Sequence, residues 1–218
     1  MRAYCSRCCR PESVCYCAWL QSIETPFRVV VLMHPDEQRR RVATGRMAHL
    51  CLPNSELIVG ETFAHHPRVA DLLRQQDCWL LYPGGDAKAS ALMASSVSRS
   101  ALFVLDGKWA QARKMLAGSP NLAALPRISF SGNLQSHFTI KRQPKRHCLS
   151  TLEAITAVLA EMPKDPAEGL KLLVPFFHVV NQQLAFEFSG APTSRVERSA
   201  RKRPDSDVLR CNSDRLLT

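Results

Sequence analysis

The sequence predicts an α/β fold with a mostly parallel sheet, on three observations. Short apolar or β-branched runs alternate with helix-like stretches from residue 27 to residue 162. Two of those runs end in glycine turns, "LLYPGG" and "VLDGKW", where parallel sheets place their ligand loops. Five of the nine cysteines lie within the first 17 residues, so a small element of different character precedes the α/β body.

Residues 1–24 form that element. "CSRCCRPESVCYC" spaces Cys5-x2-Cys8 and then Cys15-x-Cys17. An odd, clustered set argues against a disulfide framework, whereas two close thiolate pairs suit a tetrahedral zinc site. Cys5, Cys8, Cys15 and Cys17 are the expected ligands of a structural zinc, with Arg7 and Arg10 offsetting its charge. Cys9 is a bystander able to compete with Cys8. Free thiols packed as small hydrophobes are the alternative.

The body, 25–190, opens with "FRVVVLMH" (27–34), a continuous β-branched run that reads as a buried strand. "PDEQRRRVATGRMAHLCL" passes from loop to helix, "SELIVG" (55–60) is a strand and "PRVADLLRQQ" a helix. "CWLLYPG" (78–84) and "ALFVLDG" (101–107) are further strands, with weaker ones at "PRISF" (126–130) and "HFTIKR" (137–142). "STLEAITAVLAEM" (150–162) is a helix with Leu152, Ile155, Leu159 and Met162 on one face. A last helical pattern over 167–188 gathers Leu170, Leu173, Val174, Phe177 and Leu184, with Pro175 expected to kink or split it. Beyond 190 the chain loses periodicity and reads as a disordered basic tail.

The formal charge is +10, and residues 195–218 contribute seven Lys/Arg against four Asp/Glu, which leaves about +7 on the rest. A basic body points to a polyanionic partner such as nucleic acid. No apolar run approaches the roughly 18 residues of a membrane span, and the N-terminus lacks a secretory h-region, so a soluble cytoplasmic protein is expected. Neither glycine turn is a dinucleotide or nucleotide phosphate loop.

Taken together, "CSRCCRPESVCYC", "LMHPDE", "ATGR", "LLYPGG", "VLDGKWAQARKM" and "LSTLEA" resemble, in order, the motifs of the DTW-domain tRNA-uridine aminocarboxypropyltransferases. The resemblance covers residues 5 to about 155. It departs from the family's Asp-x-Thr-Trp at Asp106-Gly107-Lys108-Trp109, where lysine replaces threonine, and at Ala43, where the family often has asparagine. It implies a SPOUT-like fold with a C-terminal trefoil knot. It also implies transfer of the 3-amino-3-carboxypropyl group of S-adenosylmethionine to N3 of a tRNA uridine, with 5′-methylthioadenosine as leaving group. Two rival readings are a methyltransferase using the same donor and a non-catalytic zinc-containing RNA-binding module.

The resemblance implies three loops around the donor: Tyr82, Pro83 and Gly84; Leu105, Asp106, Gly107 and Trp109; and Leu149, Ser150 and Thr151. Asp106 is the first candidate for the base that deprotonates uracil N3, with an N-cap of the following helix as its structural role. Glu153 is the second, although Ser150-x-x-Glu153 also has the pattern of a capping box. His34, Arg39, Arg40, Arg46, Lys108, Arg113, Lys114, Lys141 and Arg142 are expected to face tRNA. His65, His66 and His178 read as structural.

Overall fold

The computed structural model describes residues 3–38, 40, 42–84, 87–89, 100–130, 136, 149–162 and 166–188. Strands β1 (Arg28–Met33), β2 (Ser55–Val59), β3 (Asp77–Leu81), β4 (Lys88–Ala89), β5 (Ser100–Asp106) and β6 (Arg127–Ser129) form one sheet in the order β2-β1-β5-β3-β6-β4. Every pairing is parallel. The helices are α1 (Pro35–Gln38), α2 (Thr44–Cys51), α3 (Pro67–Gln75), α4 (Trp109–Ala117), α5 (Pro120–Ala123), α6 (Thr151–Ala160), α7 (Pro166–Leu170) and α8 (Val174–Phe188). Among the described residues no helix is long and apolar enough to cross a membrane. The chain divides after Val180 into a unit spanning Met1–Val180 and a second spanning Asn181–Thr218.

β1 forms because Val29, Val30 and Val31 suit a pleated strand and because both faces of the strand are covered. Val29 to Met33 have no measurable exposure. On one face Val30, Leu32, Leu80 and Phe103 pack with Phe63, Val69, Leu72, Met115 and Leu122 of the α3, α4 and α5 side. The opposite face meets α2 and α6, whose Met47, Ala48, Leu152 and Ile155 are buried. α6 carries three of the four expected core positions, Leu152, Ile155 and Leu159, and also buries Thr156, Ala157 and Val158; Met162 is buried just past its end. The α4–α5 corner is pinned to the loop after β2: Phe63 N–H donates to Ser119 Oγ at 2.9 Å, and Asn121 Nδ2 donates to Phe63 O at 3.0 Å.

The C-terminal helical pattern is split rather than kinked. A 3₁₀ turn, Lys171–Leu173, separates α7 from α8, and Pro175 falls in the first turn of α8, where its missing N–H breaks no hydrogen bond. The turn shifts the phase of the apolar face. Leu172, Leu173, Phe176, Val179 and Val180 are buried, while Leu170, Val174 and Phe177 of the expected face are only half-buried. The strand expected at 137–142 and the tail lie outside the described residues.

The connections explain where a ligand would sit. From β1 the chain leaves through α1 and α2 to β2 at one edge; from β5 it leaves through α4 and α5 to β6 on the other side. Adjacent parallel strands whose connections diverge open a crevice at their carboxyl ends. Met33 pairs with Asp106 at the final register position, so His34 and Gly107 flank that crevice.

At the β2 edge, Glu56 accepts hydrogen bonds from Arg68 Nε at 2.8 Å and Nη2 at 2.5 Å, and pairs with Arg28. Its pKa is lowered, first by the Arg68 hydrogen bond and then, against the opposing effect of burial, by Arg28. The folded value lies below the unfolded one, so this contribution is present above the ordinary carboxylate pKa of about 4.3 and is lost as pH falls through the lowered value. Partly exposed pairs contribute up to about 1 kcal/mol, against about 3–5 kcal/mol for truncating a core phenylalanine such as Phe103. Glu56→Gln should therefore cost at most about 1 kcal/mol at pH 7. The difference from wild type should shrink in urea unfolding as pH is lowered below the ordinary carboxylate range.

Candidate functional site

Three loops meet at the carboxyl ends of β1, β5 and β3, and side chains link them. Asp106 ends β5 and is only 4% exposed. Its Oδ1 accepts the Thr151 hydroxyl at 2.6 Å, which ties the β5 loop to the start of α6. Its Oδ2 lies over Gly45 in the first turn of α2. A Cβ there would meet Asp106 Oδ2, and Val31 Cγ1 at 2.9 Å, so "TGR" needs glycine for close approach. The third loop joins through Tyr82, whose ring stands edge-on to Trp109 at 6.1 Å and 65°. The Arg127 guanidinium lies 5.6 Å from the other aromatic partner, the Tyr82 centroid. Trp109 keeps 38% of its surface open.

Asp106 does not cap the next helix. The N-cap of α4 is Lys108, in extended backbone with φ −62° and ψ 154°. Gln111 Oε1 accepts the Lys108 N–H at 2.8 Å, which is one half of a capping box. The other half needs a side-chain acceptor at position 108, and an ammonium group has none. The family's threonine would supply it, so the conspicuous substitution in this chain falls on a capping position.

Glu153 is 5% exposed. Its Oε2 accepts Ser150 N–H and Ser136 Oγ–H, each at 2.8 Å, and Ser150 Oγ accepts Glu153 N–H at 3.4 Å. This is a complete capping box. Both acidic candidates thus hold loop 149–151 in place. Tyr82, Pro83, Gly84, Leu105, Gly107, Trp109, Leu149, Ser150 and Thr151 all belong to the three joined loops. Among the expected cationic residues, Lys108, Arg113 and Lys114 are exposed. Arg40 pairs with buried Glu37 at 3.2 Å. Arg46 is half-buried near Tyr16, whose pKa burial raises against the opposing charges of Arg10 and Arg46. Arg39, Lys141 and Arg142 lie outside the described residues.

Sequence reasoning missed Gln111, Asp36 and Gly45. Gln111 Nε2 donates to Asp36 Oδ2 at 2.8 Å and lies 3.2 Å from His34 Nδ1. The x-x-Gln spacing after position 108 is the signal for it, masked by the lysine at the capping position.

The four cysteines converge as expected. Cys5 and Cys17 sulfurs are 3.6 Å apart, as are those of Cys8 and Cys15, and all four lie within 4.8 Å of one another. A tetrahedron with bonds of about 2.3 Å has edges of about 3.8 Å, so the cluster fits a structural metal. Backbone N–H groups of Cys8 and Arg7 draw the Cys5 thiol down to about 6. Arg10 is 7% exposed, with Nη1 buried and, among the described residues, without a hydrogen-bond partner. It feels the charge of Cys8 and Cys15, the counter-charge a metal-bound thiolate set provides. Cys9 has φ 58°, is exposed, and stays outside the cluster. The segment docks on α8 through Trp19, stacked on His178 at 4.5 Å and 17°, which agrees with a structural role for that histidine.

Lys108→Thr should complete the α4 capping box and remove a cation from a helix N-terminus. The expected gain is about 1 kcal/mol, read as a higher urea midpoint with an unchanged m-value.

The chain matches the DTW domain over residues 2–184. It is 32% identical to tRNA-uridine aminocarboxypropyltransferase 2 of Drosophila melanogaster over 192 residues, covering 84% of this chain and 76% of that protein. It is 27% and 30% identical to the proteins of that name from Macaca fascicularis and Mus musculus, spanning 84% of this chain and 64% of each of them. No solved structure matches it significantly. With the match spanning both the cysteine cluster and the joined loops, the chain belongs to the DTW-domain family.

Proposed function

We propose that this chain transfers the 3-amino-3-carboxypropyl group of S-adenosylmethionine to N3 of a tRNA uridine and releases 5′-methylthioadenosine. The observation that carries the reading is the joining of the three loops, Thr151 to Asp106 and Tyr82 to Trp109, in a chain similar to enzymes of that name. Tyr82, Pro83 and Gly84 form one wall. Leu105, Asp106, Gly107 and Trp109 form the second, and Leu149, Ser150 and Thr151 the third. S-adenosylmethionine supplies a sulfonium-activated carbon and a neutral thioether leaving group. The protein decides which carbon reacts by holding one of them in line with the nucleophile.

We assign Asp106 and Glu153 to holding these walls. A general base must reach the proton it removes. Asp106 and Glu153 are 4% and 5% exposed and engaged with Thr151, Ser150 and Ser136. His34, Arg40, Arg46, Lys108, Arg113 and Lys114 are the proposed tRNA-facing set, joined by Arg39, Lys141 and Arg142 from outside the described residues. The trefoil-knotted SPOUT-like class belongs to this reading, supported by the parallel sheet and its crevice at β1 and β5. So do a cytoplasmic location and three segments at 1–24, 25–190 and 191–218.

Zinc is the proposed metal of Cys5, Cys8, Cys15 and Cys17, on donor type and spacing. Full-length protein should hold about one zinc per chain. Cys8→Ser should lose the metal and melt at lower temperature, while Cys9→Ser should keep both metal and stability, by elemental analysis and thermal melts.

Purified protein, tRNA and S-adenosylmethionine should yield a uridine carrying the added group together with 5′-methylthioadenosine, by mass spectrometry. S-adenosylhomocysteine as product would make the protein a methyltransferase. Intact tRNA binding without either product would make it a binding module.

A further inference from the structure

Gln111 sets the protonation pattern of a histidine beside the crevice. The Lys108 N–H can only donate, so the Gln111 atom facing it at 2.8 Å is Oε1. That fixes the amide orientation and leaves Nε2 with two protons. One goes to Asp36 Oδ2 at 2.8 Å and the other faces His34 Nδ1 at 3.2 Å. The Asp36 backbone N–H donates to the same Nδ1 at 3.2 Å. Two independent donors converge on Nδ1 at 3.2 Å, closer than the Asp36 carboxylate oxygen at 3.7 Å, so Nδ1 accepts and the proton of the neutral ring sits on Nε2. Among the described residues Nε2 has no hydrogen-bond partner, and 14% of the His34 side chain is open.

The ring is also fixed in place. His34 N–H donates to Asp106 O at 2.8 Å. Gly107 packs closely on both residues: a Cβ there would press on Gln111 Cβ at 3.2 Å and touch His34 Cβ at 3.5 Å. An N–H donor is thus held at the end of β1, next to the loop of Asp106 and Trp109.

We infer that His34 uses Nε2–H to hold a carbonyl oxygen of the substrate uracil, and that Gln111 is the positioning residue that keeps that donor in place. The inference rests on the transferase reading. Uracil N3 gives its proton to bulk water before it reacts, and the resulting charge spreads onto the two flanking carbonyl oxygens. The N3–C bond then forms as the C–S bond breaks and its electron pair returns to sulfur. A fixed donor on one carbonyl stabilises the anion as it develops, without reorganisation.

The test combines ¹⁵N spectra of histidine-labelled full-length protein with single-turnover rates. The spectra should show His34 protonated on Nε2, with that N–H shifting on addition of tRNA. His34→Ala should slow transfer about 10²–10³-fold, the range for loss of one such donor, a loss larger than any accompanying fall in tRNA affinity. His34→Gln, whose side-chain amide reaches the same place, should recover to within about 10-fold of wild type. Gln111→Ala should slow transfer by about 10-fold and broaden or shift the His34 signals. A ring protonated on Nδ1, or a His34→Ala enzyme as fast as wild type, would overturn the inference. If wild type transfers nothing, the transferase reading fails. The spectra then still decide: an Nε2–H that moves with uridine-containing tRNA supports the donor, and one that does not move discards it.

Discussion

The site depends on one hydrogen bond, from the Thr151 hydroxyl to the carboxylate of the buried Asp106. Asp106 closes the central strand β5, Thr151 begins α6, and the same carboxylate lies against Gly45 at the start of α2. One side chain therefore registers the sheet against two helices on the same face. A charge-bearing group this deep is costly to leave without partners, so the three elements are held to one arrangement. The contact between Tyr82 and Trp109 then sets the position of the third loop relative to the other two.

A second hub stands beside it. Gln111 serves the start of α4 with its carbonyl oxygen and the end of β1 with its amide nitrogen. Helix capping and site geometry are in this way parts of one hydrogen-bond set. A connected hydrogen-bond network of this kind rigidifies what it joins. It also explains how the chain accommodates lysine at the threonine position of the family motif. Gln111 still closes the N–H of residue 108, so the turn keeps its shape with half of the usual cap.

Much of the fold was legible because its signals are local. The runs at 28–33, 55–59, 77–81 and 100–106 are short and apolar and stand between helical stretches. The cysteine spacing carried its own geometry. The three loops were recognisable by motif, and they do come together. What escaped had two sources: local geometry that the usual patterns do not encode, and contacts distant in sequence. The turn at 171–173 shifted the phase of the last helix, because a 3₁₀ turn advances side chains by a different angle from an α-turn. The buried posture of Asp106 follows from Gly45 and Thr151, 61 and 45 positions away, so no window around residue 106 could reveal it. Gln111 was hidden because the capping pattern is written with serine or threonine at its first position.

The backbone at Cys9 has a bearing on how the metal segment matures. Adjacent cysteines offer an incoming ion two competing registers, and a nascent chain could be trapped in the wrong one. The left-handed turn at Cys9 points successive side chains in different directions, so only the first sulfur of the tandem reaches the other three. Conformation thereby enforces a choice that composition leaves open. The neighbouring thiol remains on the surface, available to solvent chemistry without disturbing the four clustered sulfurs.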